Sequence, residues 1–271
     1  MHGNFSLIIS APHGGSILPS DIPNRADGCF DSILNSCIWT HTCKPKSSKC
    51  SVTTVEDYLS NEFAQNVAKE LVKIYGLSPF LIIGQWSRKK VDFNREINEA
   101  TLNHSEGIAG HRSYHNFILD AIAKVKQQFG RGLLLDIHGH SQGNYTMIGY
   151  LLTGSELNND QLHFPTSIEE IIQSSCANNR KECLKGKISF GTIMEKNGLG
   201  IAYPSQNNPK PGKEVFYGGG YITQNYIKLI NAIQTELPYE IRAGNQRYQY
   251  AQKYATAIYQ FMTANNLLIK T

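Results

Sequence analysis

The sequence predicts an α/β protein built on a largely parallel sheet, and three observations carry that prediction. The runs Leu7 to Pro12, interrupted only by Ser10, Pro79 to Ile83 and Leu133–Leu135 are apolar and too short for helices. Such runs are the mark of strands buried on both faces. Longer stretches with apolar residues at helical spacing alternate with them, one carrying Tyr58, Leu59, Phe63, Val67, Leu71 and Val72, another running from Tyr114 to Gln128. Finally, polar residues arrive abruptly where two of the strands stop: His13-Gly14-Gly15-Ser16 after the first, Asp136-Ile137-His138-Gly139-His140 after the leucine run. Ligands of open α/β sheets bind beyond the carboxyl ends of the strands, which is where these side chains fall.

The whole chain narrows the possibilities. Its 271 residues exceed the common domain size, but α/β folds of this length often remain one domain, so a single domain spanning 1–271 is expected. Hydrophobic residues at 41% and charged residues at 18% exclude disorder and collagen-like structure. The net charge of +4 comes from scattered Lys and Arg, which leaves no footprint for nucleic acid. No apolar run approaches the roughly 18 residues of a membrane span. A monomer acting on a small molecule or a peptide is the expectation that remains.

The six cysteines form two even groups, Cys29, Cys37, Cys43 and Cys50, then Cys176 and Cys183. The first group lies in an aperiodic Pro/Ser/Lys-rich insertion at about 20–52. It has little to bury beyond Phe30, Ile33, Leu34, Ile38 and Trp39, so it reads as a loop excursion that needs staples. A second insertion covers about 154–190. Two disulfides in the first and one in the second, in an oxidising compartment, are favoured over a structural zinc site because no close Cys-x-x-Cys pair is present. Sequons at Asn4, Asn103 and Asn144 agree with secretion; no charged and apolar leader opens the chain, so a signal would already have been removed.

Taken in order, Leu7–Ala11 is stopped by Pro12, and the two glycines after His13 permit a sharp turn or close approach to a ligand. The first helix is expected to open at Thr53, where Thr53-x-x-Glu56 fits a capping box; Asp57 has no such local task. After the run Pro79 to Ile83 comes Ser87 to Glu96, with Arg88 and Arg95 on either side of Asp92 and Asn94. Arg is suited to gripping a carboxylate through two parallel hydrogen bonds. His111 and His115 share a helix face, His115 expected to face the cleft or cap the helix and His111 to be exposed. In a strand, Asp136, His138 and His140 point to one side, so Asp136 can orient a metal-bound His138 or the substrate. Tyr145–Leu152 is a connecting strand or a buried loop, and a short helix is expected near Ser167–Ser174. Phe216 to Tyr221, with three consecutive glycines, reads as a mobile or substrate-contacting loop, with Gly219 and Tyr221 as candidate substrate contacts. A helix from Tyr221 to Asn231, a strand Ala232–Leu237 and a closing helix within Gln246–Leu268 complete the chain. Glu236 on that late strand needs a partner or a task, because an unpaired buried carboxylate is costly.

Assembled, the strand ends offer His13, Asp57 and His138 as three N/O ligands, the number that leaves a catalytic zinc one open position. Glu236 is then the expected general base and Arg88 the group that stabilises a developing oxyanion.

With these residues in order, the chain resembles the N-formylglutamate amidohydrolase family. The resemblance is carried by Ser10-Ala11-Pro12-His13-Gly14-Gly15, Glu56-Asp57, Ser87-Arg88, Val91-Asp92-Phe93-Asn94-Arg95, Tyr114-His115, Asp136-Ile137-His138-Gly139-His140, Gly219-Gly220-Tyr221-Ile222-Thr223 and Gln234-Thr235-Glu236. It implies a zinc carboxypeptidase-like fold, three-layer α/β/α around a mixed, largely parallel sheet. It further implies one zinc ion per chain and hydrolysis of a C–N amide bond in a carboxylate-bearing substrate: an N-acyl amino acid such as N-formylglutamate, or a peptide C-terminus. Asp57 stands in for the Glu that the wider carboxypeptidase-like group carries three residues after its first His, where this chain has Ser16; Glu56 is its rival. Asn94 and Arg95 resemble the pair that binds a substrate carboxylate, Arg88 the carbonyl-polarising Arg, and Glu236 the catalytic Glu. The alternative is a secreted, non-catalytic metal- or ligand-binding protein, or a matrix component, on the same fold.

Overall fold

The computed structural model describes residues 3–163 and 165–268; the expected domain limits at 1 and 271 lie outside them. Its main sheet has the strand order β4-β1-β5-β8-β6-β7, with β1 Leu7–Ala11, β4 Phe80–Ile83, β5 Leu133–Gly139, β6 Tyr145–Gly149, β7 Ile201–Tyr203 and β8 Asn231–Leu237. Strands β4, β1, β5 and β8 run parallel, β6 lies antiparallel to β8, and β7 follows β6. This is the mixed, largely parallel sheet that was expected.

Alternate residues of the central strands enter two different cores. Leu7, Ile9, Leu133, Leu135, Ile233 and Leu237 pack beneath the helices Ser60–Tyr75 and Arg247–Ala264, together with Ile241. Ile8, Leu134 and Ala232 pack on the opposite face against the helix Ser105–Phe129, together with Phe93 and Ile222. The apolar runs follow from this arrangement, since both faces of each strand are covered.

Several elements depart from expectation. The first helix opens at Ser60, not Thr53, and Leu59 precedes it in the left-handed region at φ 60°. The Asp57 N–H donates to the His13 carbonyl at 3.1 Å, and the Ser60 N–H to the Asp57 carbonyl at 2.9 Å. This long-range tie holds 53–57 out of the helix, so the local capping box never forms. The helix before β5 begins at Ser105, well before Tyr114, because a first turn containing Glu106 and Gly107 hides its periodicity. The helix expected over Tyr221–Asn231 ends at Tyr226, and Asn231 already belongs to β8.

Tyr145–Gly149 is a strand, and β7 was not foreseen. The cysteine insertion is more than a loop: β2 Cys29–Asp31 and β3 Ser36–Ile38 form an antiparallel hairpin. Disulfides Cys29–Cys43 and Cys37–Cys50 staple it, and Cys176–Cys183 closes the second insertion. These three bonds accord with an oxidising compartment. Among the described residues no helix is long and apolar enough to cross a membrane.

Candidate metal centre

Two strand ends and one loop bring the candidate ligands together, and a third strand end places Glu236 beside them. Pro12 ends β1 and delivers His13, and the glycines that follow are needed for close packing. A Cβ on Gly14 would stand 2.5 Å from the Asn61 nitrogen, and one on Gly15 2.4 Å from the Gly84 oxygen. His138 lies near the end of β5, in register with Glu236 of β8, as Asp136 is with Gln234. Parallel pairing in register places like-facing side chains beside one another, so Asp136, His138, Gln234 and Glu236 share a face.

Asp57 is the hub. Its Oδ2 lies 3.0 Å from His138 Nδ1 and 3.4 Å from His13 Nδ1, and it accepts the Gly139 N–H at 3.1 Å. Glu56, its rival, is an exposed residue on the cavity rim and does not join the cluster. Each imidazole is held from behind by a second carboxylate. His13 Nε2 lies 2.7 Å from Asp92 Oδ1, and His138 Nε2 lies 2.7 Å from Asp136 Oδ2. Such backing places the proton on Nε2, fixes the tautomer and makes Nδ1 the better ligand.

The two Nδ1 lone pairs and a carboxylate oxygen then converge, which is repulsive unless positive charge sits among them. His13 Nδ1 is buried without a hydrogen-bond partner, as a waiting ligand would be. One donor atom from each of His13, Asp57 and His138 fits within 4.8 Å of the others, so the three residues suit a metal ion. The electrostatics of the cluster favour positive charge at this point, which a proton or a metal ion can supply. Burial would raise the Asp57 carboxyl, but His13 and His138 outweigh it and hold it below the usual range. Burial likewise disfavours a charged His138, and Asp136 together with Asp57 reverses this and raises it well above an ordinary imidazole.

The cluster opens into a cavity of about 420 Å³ whose lining includes Arg88, Asn94, Arg95, Gly219, Gly220, Gln234, Glu236 and Arg242. A larger groove of about 860 Å³ along the outer edge of β4 holds none of this chemistry. Glu236 accepts a hydrogen bond from Gln234 Nε2 at 2.9 Å. Burial pushes its carboxyl up to about 7, opposed by His138 and reinforced by Asp57. Arg88 Nε donates to Asp92 Oδ2 at 2.8 Å, and its Nη1 lies 3.9 Å from Asp57 Oδ1.

Other expected site residues fall differently. Asn94 lines the cavity, but its Oδ1 accepts the Ile222 N–H at 2.8 Å and its Nδ2 lies 3.3 Å from His138 Nε2. Gly220 makes that approach possible, since a Cβ there would stand 2.4 Å from Asn94 Nδ2. Arg95 reaches the rim, with Nε on Glu99 at 3.1 Å and Nη1 on the Asn94 carbonyl at 2.8 Å.

Four expectations are corrected, those for Asp136, His115, His111 and Tyr221. Asp136 is buried behind His138, where it also accepts the Ser10 hydroxyl at 2.6 Å, so it backs that imidazole and does not line the cavity. His115 does not face the cleft: its nitrogens bond Tyr226 Oη at 2.6 Å and the Phe93 carbonyl at 3.0 Å, inside the wall. His111 is buried, not exposed, and bonds the Arg95 carbonyl at 3.0 Å. Gly219 does line the cavity, whereas Tyr221 stands behind it with its ring 5.5 Å from that of His115; Tyr217 takes the lining place. His140, just past the end of β5 at Gly139, lines the cavity with His138, and its Nε2 bonds the Tyr145 carbonyl at 2.7 Å.

Two residues of the site escaped the sequence reading. Asp92 was noticed only as a neighbour of the arginines, although Arg88-x-x-x-Asp92 is an ion-pair spacing. Arg25 gave no local signal; its Nη1 reaches from the cysteine insertion to Asp92 Oδ2 at 3.4 Å and to the carbonyls of Thr53 and Arg88 at 2.9 and 3.2 Å. Asp92→Asn keeps the shape of this relay but removes its charge, and should weaken metal affinity about 10- to 100-fold, as read by competition with a chelator. Unchanged affinity would separate Asp92 from the metal centre.

Neither a protein-family model nor a curated protein sequence matches the chain. Solved structures do. A gene product of Agrobacterium tumefaciens superposes with a TM-score of 0.50 at 11% identity, covering 97% of this chain and 91% of that one. An N-formylglutamate amidohydrolase from Ralstonia eutropha gives 0.48 at 12% identity, covering 98% and 95%. An N-acetylmuramyl-L-alanine amidase from Mycobacterium smegmatis gives 0.38 at 11%, covering 96% of each chain. At such identities a likeness concerns fold alone, and of these three only the Agrobacterium structure reaches a TM-score that carries it.

Proposed function

We propose that this chain is a zinc-dependent hydrolase of a C–N amide bond in a carboxylate-bearing substrate, an N-acyl amino acid or a peptide C-terminus. The observation that carries this reading is the convergence of two backed imidazoles and Asp57 beside a buried Glu236 in one cavity. A binding protein would need the ligands; it has no evident use for a carboxyl group whose protonation is poised by burial near neutrality.

His13, Asp57 and His138 would hold the ion, one per chain. Zinc bound there supplies Lewis acidity towards the carbonyl and brings the pKa of water to about 7. Glu236 takes the proton of the attacking water and passes it to the departing nitrogen, which a carboxyl of nearly neutral pKa can do in both directions. A neighbouring cation lowers that pKa somewhat and favours the accepting form. Arg88, fixed by Asp92, presents its guanidinium to the oxyanion as the carbonyl becomes tetrahedral. Arg95 at the rim and Asn94 in the cavity wall orient the substrate carboxylate on the amine side. The proposal takes the protein to act as a secreted monomer, and the three disulfides support the oxidising compartment.

The test is direct. Purified protein should carry about one zinc by elemental mass spectrometry and release free amino acid from a panel of N-acyl amino acids, and a chelator should stop the release. Absence of zinc, with none taken up on reconstitution, would turn the reading to a non-catalytic protein on this fold.

A further inference from the structure

Arg242 has no part in the reaction just described, yet it lines the same cavity and is only 5% exposed. Its Nη1 donates to the carbonyls of Leu237 at 3.1 Å and His140 at 3.3 Å, while its Nε is buried without a hydrogen-bond partner. Among the described residues no carboxylate lies within 4.0 Å of it. The acidic groups that act on it from further away, Asp57 and Glu236, are engaged with the imidazoles and with Gln234. A guanidinium does not shed its proton in a protein, and a buried charge with no counter-charge is costly.

The fold nevertheless makes room for it. A Cβ on Gly139 would stand 2.0 Å from Arg242 Nε, so the glycine beside His138 is what lets the guanidinium lie against the end of β5. Arg95 differs on each count, being paired with Glu99, with its side chain 35% exposed. The two arginines also approach from opposite faces of the sheet. Arg242 follows Ile241, which packs with the first and last long helices, whereas Phe93, two residues before Arg95, belongs to the other core.

We propose that Arg242 is an anion-binding group that holds an acidic acyl chain of the substrate, across the cleft from Arg95. Naming the acyl half rests on the amide-hydrolase reading; the anion site does not. Three compounds separate these points: N-glutarylglycinamide, acidic only on the acyl side, N-acetylglycine, acidic only on the amine side, and neutral N-acetylglycinamide. Ligand-observed NMR on the full chain reads both their binding and their hydrolysis.

N-glutarylglycinamide should bind the wild-type protein at least tenfold more tightly than N-acetylglycinamide. Arg242→Met should abolish this gain, and Arg242→Lys, which keeps the charge without the fork, should retain part of it. The preference for N-acetylglycine should instead fall in Arg95→Met. Equal wild-type affinity for the glutaryl and acetyl amides overturns the proposal without recourse to any variant, and so does a gain that survives Arg242→Met. A glutaryl preference without hydrolysis of any compound would sink the hydrolase reading and leave the anion site standing. Hydrolysis of N-acetylglycine without a glutaryl preference would do the reverse.

Discussion

Glu236→Gln should leave the metal content unchanged and lower the proposed turnover by about 10²- to 10⁴-fold, the range spanned by losing a general acid–base group. The side chain is nearly isosteric, and the new amide can still accept a hydrogen bond from Gln234 Nε2 through its carbonyl oxygen, so the packing at the end of β8 has no reason to change. What disappears is the ability to take up and release a proton. None of the three proposed ligands is touched, so the metal content by elemental mass spectrometry should equal that of the wild type while hydrolysis of an N-acyl amino acid collapses. Retained turnover would remove Glu236 from the mechanism. Joint loss of metal and turnover would make it part of the metal site.

The second large effect is loss of the metal from Asp57→Asn and from His138→Ala. Asp57 is the shared neighbour of both Nδ1 atoms, at 3.0 and 3.4 Å, and it brings a negative charge that no imidazole ligand can supply. Asn at this position can still accept the Gly139 N–H, so the loop before the first long helix retains its tie while the charge is lost. His138→Ala removes a ligand and leaves Asp57 and Asp136 facing each other without the imidazole between them. Metal affinity in either variant should fall by more than the roughly 100-fold that marks the upper range for a supporting residue. Full zinc occupancy in His138→Ala would end the ligand assignment, and full occupancy in Asp57→Asn would reopen the question of the third ligand.

What the sequence determined by itself is the sheet and the two histidines at its edge. Strands buried on both faces are rich in apolar residues, so Leu7–Ala11 and Leu133–Leu135 announce themselves locally, and a histidine soon after such a run falls where ligands bind in α/β sheets. Asp57 could be singled out because its neighbour Glu56 already had a plausible local task. Pairing of the cysteines within each cluster was likewise legible, since each cluster holds an even number. Tertiary structure decided whatever depends on partners distant in the chain. Asp57 lies outside the helix because its N–H is tied to His13, a contact that no local capping rule contains. His115 matched a motif and a helical spacing, yet Tyr226 and the Phe93 carbonyl hold it in the wall, because orientation about a helix axis is settled by packing. Arg25 and Arg242 stand alone in their local sequence and gain meaning only when folding sets one against Asp92 and lays the other against Gly139. Local backbone preference and burial pattern extend over a few residues, whereas the charge balance of a buried site is summed across every segment that reaches it, and only the folded chain contains that sum.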